Sequence, residues 1–405
     1  MINRRQLLKQ LSAIPIVGSA LAASPFAKVG TIKPLPGRRD YFKELGVRTF
    51  INAAGTYTAM TGCLMPREVI SAIQYASNQY VNLDDLQDKV GERIAELVHC
   101  EYATVTAGAF SAITLGTAGV LTGRDAEKAA RLPNDLTGMK SEVILQKKHH
   151  IGYTHAIRNT GVKLVLVETA KELRKAINDQ TAMLWFLNYN ANEGEIGYEE
   201  FVAIGKEHGI PTMNDCAADV PPVENLWKYT EMGFDLVCFS GGKGIRGPQS
   251  AGLLLGRRDL IEAARMSAAP RGDTVGRGMK VNKEEILGML IALELYLGKD
   301  HKAEWKTWDE QIQHIANAAA SVDGVEAEIH VPDIANHVPS LKLSWDQTKV
   351  KISPPDFRDK LTMGHPSIQT VGSQEHVGIT TWMMNPGEER IVARRIKEVL
   401  SEKAT

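Results

Sequence analysis

An acid and an amine, separated by one crossover-length segment, carry the chemistry this chain advertises. Asp215 closes an apolar run, Ile210 to Asn214, and Lys243 sits in a glycine turn just after the next apolar run, Leu236 to Ser240. The interval Pro222 to Gly233 is long enough for a helix, and a strand–helix–strand crossover makes its two strands parallel. Carboxylate and amine are therefore predicted to emerge at the same edge of one sheet. In open α/β sheets that carboxyl edge is where ligands bind.

This pairing suits pyridoxal 5'-phosphate. The lysine forms a Schiff base with the aldehyde, and the aspartate keeps the pyridine nitrogen protonated, making the ring an electron sink. Ser240, three residues before the lysine, is placed to offer a hydroxyl to the phosphate. An isolated Asp…Lys pair is more often a solvated ion pair of little consequence. Here Lys243 lies among Gly241, Gly242, Gly244 and Gly247, which remove side chains where a cofactor would need room.

Other stretches supply the rest of the expected site. In Ala103 to Ala112 a β-branched strand feeds small residues that open a helix, so the N–H groups of Ala107, Gly108 and Ala109 would form a phosphate cup. Close helix packing asks for the same small residues. Val162 to Val167 and Ala182 to Leu187 read as buried strands, the second leading to Asn188, which can hydrogen-bond the cofactor's phenolic oxygen or form a turn. His149, His150 and His155 lack a nearby carboxylate or cysteine to complete a metal site, and no metal is expected. Asn52, Thr56 and Thr58 lie in a small-residue loop and serve equally as turn formers. Arg124 to Lys140 has the character of a surface insertion.

The segment Phe-Ser-Gly-Gly-Lys-Gly-Ile-Arg-Gly-Pro-Gln-Ser-Ala-Gly-Leu-Leu-Leu-Gly, Phe239 to Gly256, resembles the lysine segment of a family of fold-type I pyridoxal phosphate enzymes. That family is selenocysteine synthase-like and D-glucosaminate-6-phosphate ammonia-lyase-like, and the resemblance runs from about Tyr41 to the C-terminus. It implies a large α/β domain with a mostly parallel, seven-stranded type of sheet, a smaller α+β C-terminal domain, and a homodimer or larger assembly with sites at the subunit interface. It also implies that His149 stacks on the pyridine ring. His150 stands where relatives often have arginine, and Ala107 where they often have serine, a contact Ser111 could replace. Arg277 or Lys280, in the matching block Gly276 to Glu285, would reach a phosphate or substrate anion, or else cap a helix. Ser367 occupies a position where many relatives carry arginine, so no arginine of the small domain is assigned to a substrate carboxylate.

Composition narrows the class. The chain has 405 residues, enough for two or three domains, with 43% hydrophobic and 23% charged residues and a net charge of −1. Nothing there points to nucleic acid or to a polybasic membrane patch. Four cysteines do not make a disulfide framework; Cys216 and Cys238 are expected as buried free thiols. The N-terminus carries Arg4-Arg5, a short apolar run broken by Pro15, and Ala20, Ala22 and Ala23, the layout of a twin-arginine-like signal peptide. We divide the chain into a signal (1–27), a linker and N-terminal arm (28–62), a large cofactor-binding domain (63–290) and a small C-terminal domain (291–405), and expect a periplasmic or otherwise exported protein.

The expected activity is that of a pyridoxal-phosphate-dependent lyase working at the α-carbon of an amino acid or amino-sugar acid. Lys243, freed by the incoming amine, is the base. Racemisation and transamination follow as alternatives, and a non-catalytic periplasmic binding protein is the rival from another class. The retained set Asp215, Ser240 and Lys243 speaks against a decayed enzyme.

Overall fold

A computed structural model describes residues 39–402. The proposed signal at 1–27, including Arg4 and Arg5, lies outside the described residues. Residues 39–49 form a unit of their own around the short helix Tyr41–Leu45, which the Asp40 side chain caps by accepting the Lys43 N–H at 3.1 Å.

From Phe50 onward the described chain forms thirteen strands in three sheets. They are β1 (Phe50–Asn52), β2 (Tyr102–Thr106), β3 (Glu142–Gln146), β4 (Lys163–Val167), β5 (Thr181–Leu187), β6 (Thr212–Asp215), β7 (Leu236–Ser240), β8 (Gly252–Gly256), β9 (Val325–His330), β10 (Ser340–Trp345), β11 (Ser367–Gln369), β12 (Val371–Gly372) and β13 (Val377–Thr380). Seven make the main sheet, in the order β2-β8-β7-β6-β5-β3-β4. Every pair from β7 to β4 is parallel, and β8 runs antiparallel to both its neighbours.

A sheet covered on both faces needs strands that are apolar at every position rather than alternately. β5 and β8 are buried at every residue. Alternate residues of β5 go to opposite cores: Leu184 and Phe186 pack with Ile94, Phe201 and Leu293, whereas Met183, Trp185 and Leu187 pack with Ile113, Leu115 and Ile261. Each fully buried aliphatic side chain of this kind contributes roughly 1.5–3 kcal/mol. β4 departs from the expected buried strand, because Val167 alone of its five residues is buried. It is the last strand in the order and pairs only with β3, so one edge and part of its faces meet solvent. The charged segment 124–140 is likewise more than a surface insertion: it contains the helix Ala126–Arg131 and sends Leu132 and Met139 into the second core.

The smaller sheet, β12-β13-β10-β9, is antiparallel throughout. Helices His301–Ala320 and Glu388–Leu400 share its apolar core through Ile312, Ile315, Val392 and Ile396. β1 pairs in parallel with β11, which joins the segment after residue 49 to the C-terminal part of the chain. The fold is thus a mostly parallel α/β sheet with a smaller antiparallel-sheet domain. Between β9 and β10 the chain passes through Ala335 and Asn336, and the Asn336 N–H donates at 2.8 Å to the carbonyl of Ala218, in the turn that follows β6.

Candidate active site

β6 and β7 are adjacent and parallel, with Asp215 opposite Cys238, and the helix Asn225–Met232 lies in the crossover between them. Asp215 is the last residue of β6 and is 5% exposed. Ser240 is the last of β7 and half-buried, and Lys243 follows in the turn, also half-buried. Two of the glycines around the lysine admit other backbone: a Cβ on Gly242 would lie 2.5 Å from Gln249 Cα, and one on Gly244 would lie 2.1 Å from the Val220 carbonyl oxygen. The turn after β6 and the turn after β7 are therefore packed against each other.

Burial pushes the Asp215 carboxyl up, opposed by the Ala217 N–H that donates to its Oδ1 at 3.1 Å, by the positive charge of Lys243, and by the Cys238 thiol at 3.6 Å. Burial likewise pushes Lys243 down, opposed by the negative charges of Asp215 and Asp219. A lysine shifted this way reaches its neutral, nucleophilic form closer to physiological pH. Asp219 was given no task by the sequence reading, although it is the second acid of Asp-Cys-Ala-Ala-Asp. It is 2% exposed, and burial raises its carboxyl to about 7.

The residues expected to form the phosphate cup open a helix. Ala107 precedes the helix Gly108–Thr122 and supplies no side-chain cap, so the first-turn N–H groups have no capping oxygen. Gly108 takes a φ of 85°, a region that favours glycine. Ser111 does not replace the missing serine, since its hydroxyl donates to the Ala107 carbonyl at 2.7 Å.

Two assignments need correction. His149 has no exposed surface; its Nδ1 accepts the Leu187 N–H at 3.2 Å, and its ring meets Phe186 edge-on at 4.4 Å. A ring enclosed on all sides has no face left for a cofactor, so its place is structural, and its neighbour His150 is the exposed member of the pair. Asn188 donates from Nδ2 to the Tyr229 hydroxyl at 2.9 Å and also serves the Asp219 carboxyl, while its Oδ1 has no partner among the described residues. A phenolate oxygen needs a donor, and this amide has committed its own elsewhere. Arg277 is exposed in a loop, with no side-chain hydrogen bond or ion pair among the described residues. Asn52 is a turn former, accepting the Ala54 and Gly55 N–H groups at 3.0 Å. Ser367 is buried and donates to the Thr362 carbonyl at 2.6 Å, so no cation stands at that position.

His149 carries a pH prediction. Its enclosure lowers its pKa from 6.5 to about 4. A folded-state value below the unfolded one contributes stability that is present above about pH 6.5 and is lost as pH falls towards 4. Asp219, whose folded value is raised, works in the opposite sense over the same range. We therefore expect the wild type, compared with His149→Asn, to lose about 2 kcal/mol more between pH 7 and pH 5, read from urea midpoints of the apoprotein.

A half-buried lysine within electrostatic reach of a buried aspartate, and an uncapped helix N-terminus for a phosphate, fit pyridoxal 5'-phosphate. Together with the sheet order they define a fold-type I pyridoxal phosphate enzyme. The comparisons make this specific. The sequence profile of the SelA family, L-seryl-tRNA selenium transferase, matches residues 50–308, and the chain belongs to that family. It is 27% identical over 381 residues to the D-glucosaminate-6-phosphate ammonia lyase of Salmonella typhimurium, covering 90% of this chain and 99% of that one. It is 29% identical to the 5'-C-glycyluridine monooxygenase-decarboxylase of a Streptomyces species, covering 89% and 92%. A solved structure of D-glucosaminate-6-phosphate ammonia-lyase superposes with a TM-score of 0.78 at 25% identity, covering 89% of this chain and 98% of that chain.

Proposed function

We propose that this enzyme is a lyase that eliminates from the α/β-carbons of an amino acid or amino-sugar acid with release of ammonia. The observation that carries the reading is Lys243 half-buried between two acids, Asp215 and Asp219, at the carboxyl edge of the sheet. The end-to-end likeness to an ammonia lyase, in sequence and in structure, supports elimination over racemisation or transamination.

Pyridoxal 5'-phosphate, when bound, supplies an aldehyde for covalent attachment and a ring that withdraws electrons from the substrate's α-carbon. Lys243 is the attachment point because its amine loses its proton more readily than an exposed lysine. The same amine, when not attached to the cofactor, would be the base that takes the proton from the substrate's α-carbon. Asp215, held by the Ala217 N–H, would keep a proton on the ring nitrogen of the bound cofactor. The N–H groups opening the helix Gly108–Thr122, with the Ser240 hydroxyl, would hold the phosphate.

The purified holoenzyme should release ammonia and a keto acid in equal amounts from at least one member of a panel of amino-sugar acids, their 6-phosphates, and D- and L-amino acids. Deuterium entering at the α-carbon without ammonia would replace elimination by racemisation. The likeness to a monooxygenase-decarboxylase favours a second reading, oxidative decarboxylation, which oxygen uptake with carbon dioxide release on an amino acid substrate would establish.

We also propose twin-arginine export and self-association. Leu64, Ile70, Tyr75 and Tyr80 expose apolar surface along one stretch, which suits contact with a second copy. Cell fractionation with and without Arg4→Lys/Arg5→Lys, and the mass of the purified protein in solution, check the two.

A further inference from the structure

The turn after β6 holds an acid for which the mechanism above has no use. Asp219 is almost fully buried, and its Oδ1 has no hydrogen-bond partner among the described residues, a costly arrangement for a carboxyl group. Its backbone is fastened on three sides. The Asp219 N–H donates to the Cys216 carbonyl at 3.1 Å, its own carbonyl accepts Asn225 Nδ2 at 2.7 Å, and the Ala218 carbonyl accepts the Asn336 N–H at 2.8 Å. Ala335 and Asn336 reach that last contact in left-handed conformations, with φ of 53° and 46°, a strained choice for residues that carry a Cβ.

The same turn abuts the lysine. Gly244, next to Lys243, leaves no room for a Cβ beside Val220, next to Asp219. The charged and titratable groups around Asp219 are Asp215 and Cys216 in its own turn, Lys243 and Cys238 from β7 and the turn after it, and Tyr198 and Tyr229 from the covering helices, with the Asn188 amide as donor. Lys243 is the cation that acts on it.

We propose that Asp219 is a positioning residue for the proton of the Lys243 nitrogen: as a carboxylate it holds that proton on nitrogen, and by accepting a proton it lets the nitrogen give one up. The transfer moves one proton from nitrogen to carboxyl oxygen and turns an ion pair into two neutral groups, with no change in net charge. Burial favours the neutral pair, and the charge of Asp215 favours the proton on nitrogen. The opposition of these two effects lets Lys243 serve in both of its tasks, as the protonated partner that invites attack and as the neutral base. Burial raises Asp219 to about 7 and lowers Lys243.

The inference rests on Lys243 being the cofactor's anchor, and its test separates the two claims. Visible absorbance of the holoenzyme is followed against pH for wild type, Asp219→Asn and Asp219→Glu. Removing the carboxylate removes its attraction for the proton on nitrogen. In Asp219→Asn the absorbance transition of the bound cofactor therefore moves to lower pH by about one unit or more, a tenfold change in the proton equilibrium. Asp219→Glu moves it back towards wild type. Should Asp219→Asn fail to fold by circular dichroism, Asn188→Ala carries the test, since loss of its hydrogen bond leaves Asp219 neutral to higher pH and shifts the transition in the same direction. An unmoved transition, with cofactor trapped on Lys243 by borohydride in every variant, overturns the role of Asp219 alone. Failure to trap cofactor on Lys243 in the wild type overturns the anchor instead.

Discussion

Lys243→Ala is expected to abolish covalent cofactor attachment and to lower turnover by on the order of 10⁴-fold. Both tasks of the amine disappear together, attachment and α-proton removal, so neither the visible absorbance of the bound cofactor nor activity should return with added pyridoxal phosphate. The fold should survive. Lys243 is half-buried in a turn whose close contacts are made by Gly242 with Gln249 and by Gly244 with Val220, and neither involves the lysine side chain. Losing the cation leaves Asp215 and Asp219 without the charge that lowers them, so both should bind protons at still higher pH. Absorbance spectra and single-turnover assays of the refolded and native variant check each part.

Asp215→Asn is expected to keep the cofactor and lose most of the rate, on the order of 10³-fold in kcat. Asparagine is nearly the same size and retains an oxygen to accept the Ala217 N–H, so the turn is preserved. It lacks the negative charge that holds a proton on the ring nitrogen, and the ring is then a poorer acceptor of electrons. The signature is a divided effect: cofactor content near wild type, KM little changed and kcat collapsed. Asp215→Glu should do no better, because one more methylene at a site 5% exposed costs roughly 1–3 kcal/mol in overpacking.

These expectations follow from features that local sequence largely determines. A strand, a crossover helix and a second strand constrain one another within thirty residues, and so the joint placement of Asp215 and Lys243 at one edge was readable from spacing. The helix start expected to take the phosphate was readable for the same reason, since β2 runs directly into the helix that opens at Gly108. What stayed hidden depends on distant partners. Whether His149 or His150 turns inward depends on Phe186 and the Leu187 N–H, nearly forty residues away along the chain. The commitment of Asn188 depends on Tyr229, and the burial of Asp219 depends on a loop beyond residue 330. β1 and β11, three residues each, have too little periodicity to announce themselves and exist only because they pair with each other. The edge position of β4 belongs to strand order, which its Val- and Leu-rich sequence does not encode.

The glycine block meets a demand that its sequence does not announce. Gly242 and Gly244 suggested room for a ligand, and the contacts show room for backbone. The two demands coincide at this site because the turn that bears the lysine must lie directly on the turn that bears the acids. Close packing of these turns is what places one amine and two carboxyls within electrostatic reach of one another. The same dependence extends to the loop at Asn336, so the smaller sheet's connection helps hold the acidic turn.

The most direct check is to reduce the wild-type holoprotein with borohydride, digest it and map the peptide that gains the mass of the reduced cofactor. The account predicts a single modified peptide, with the added mass on Lys243. A label on any other lysine, or none, would contradict it.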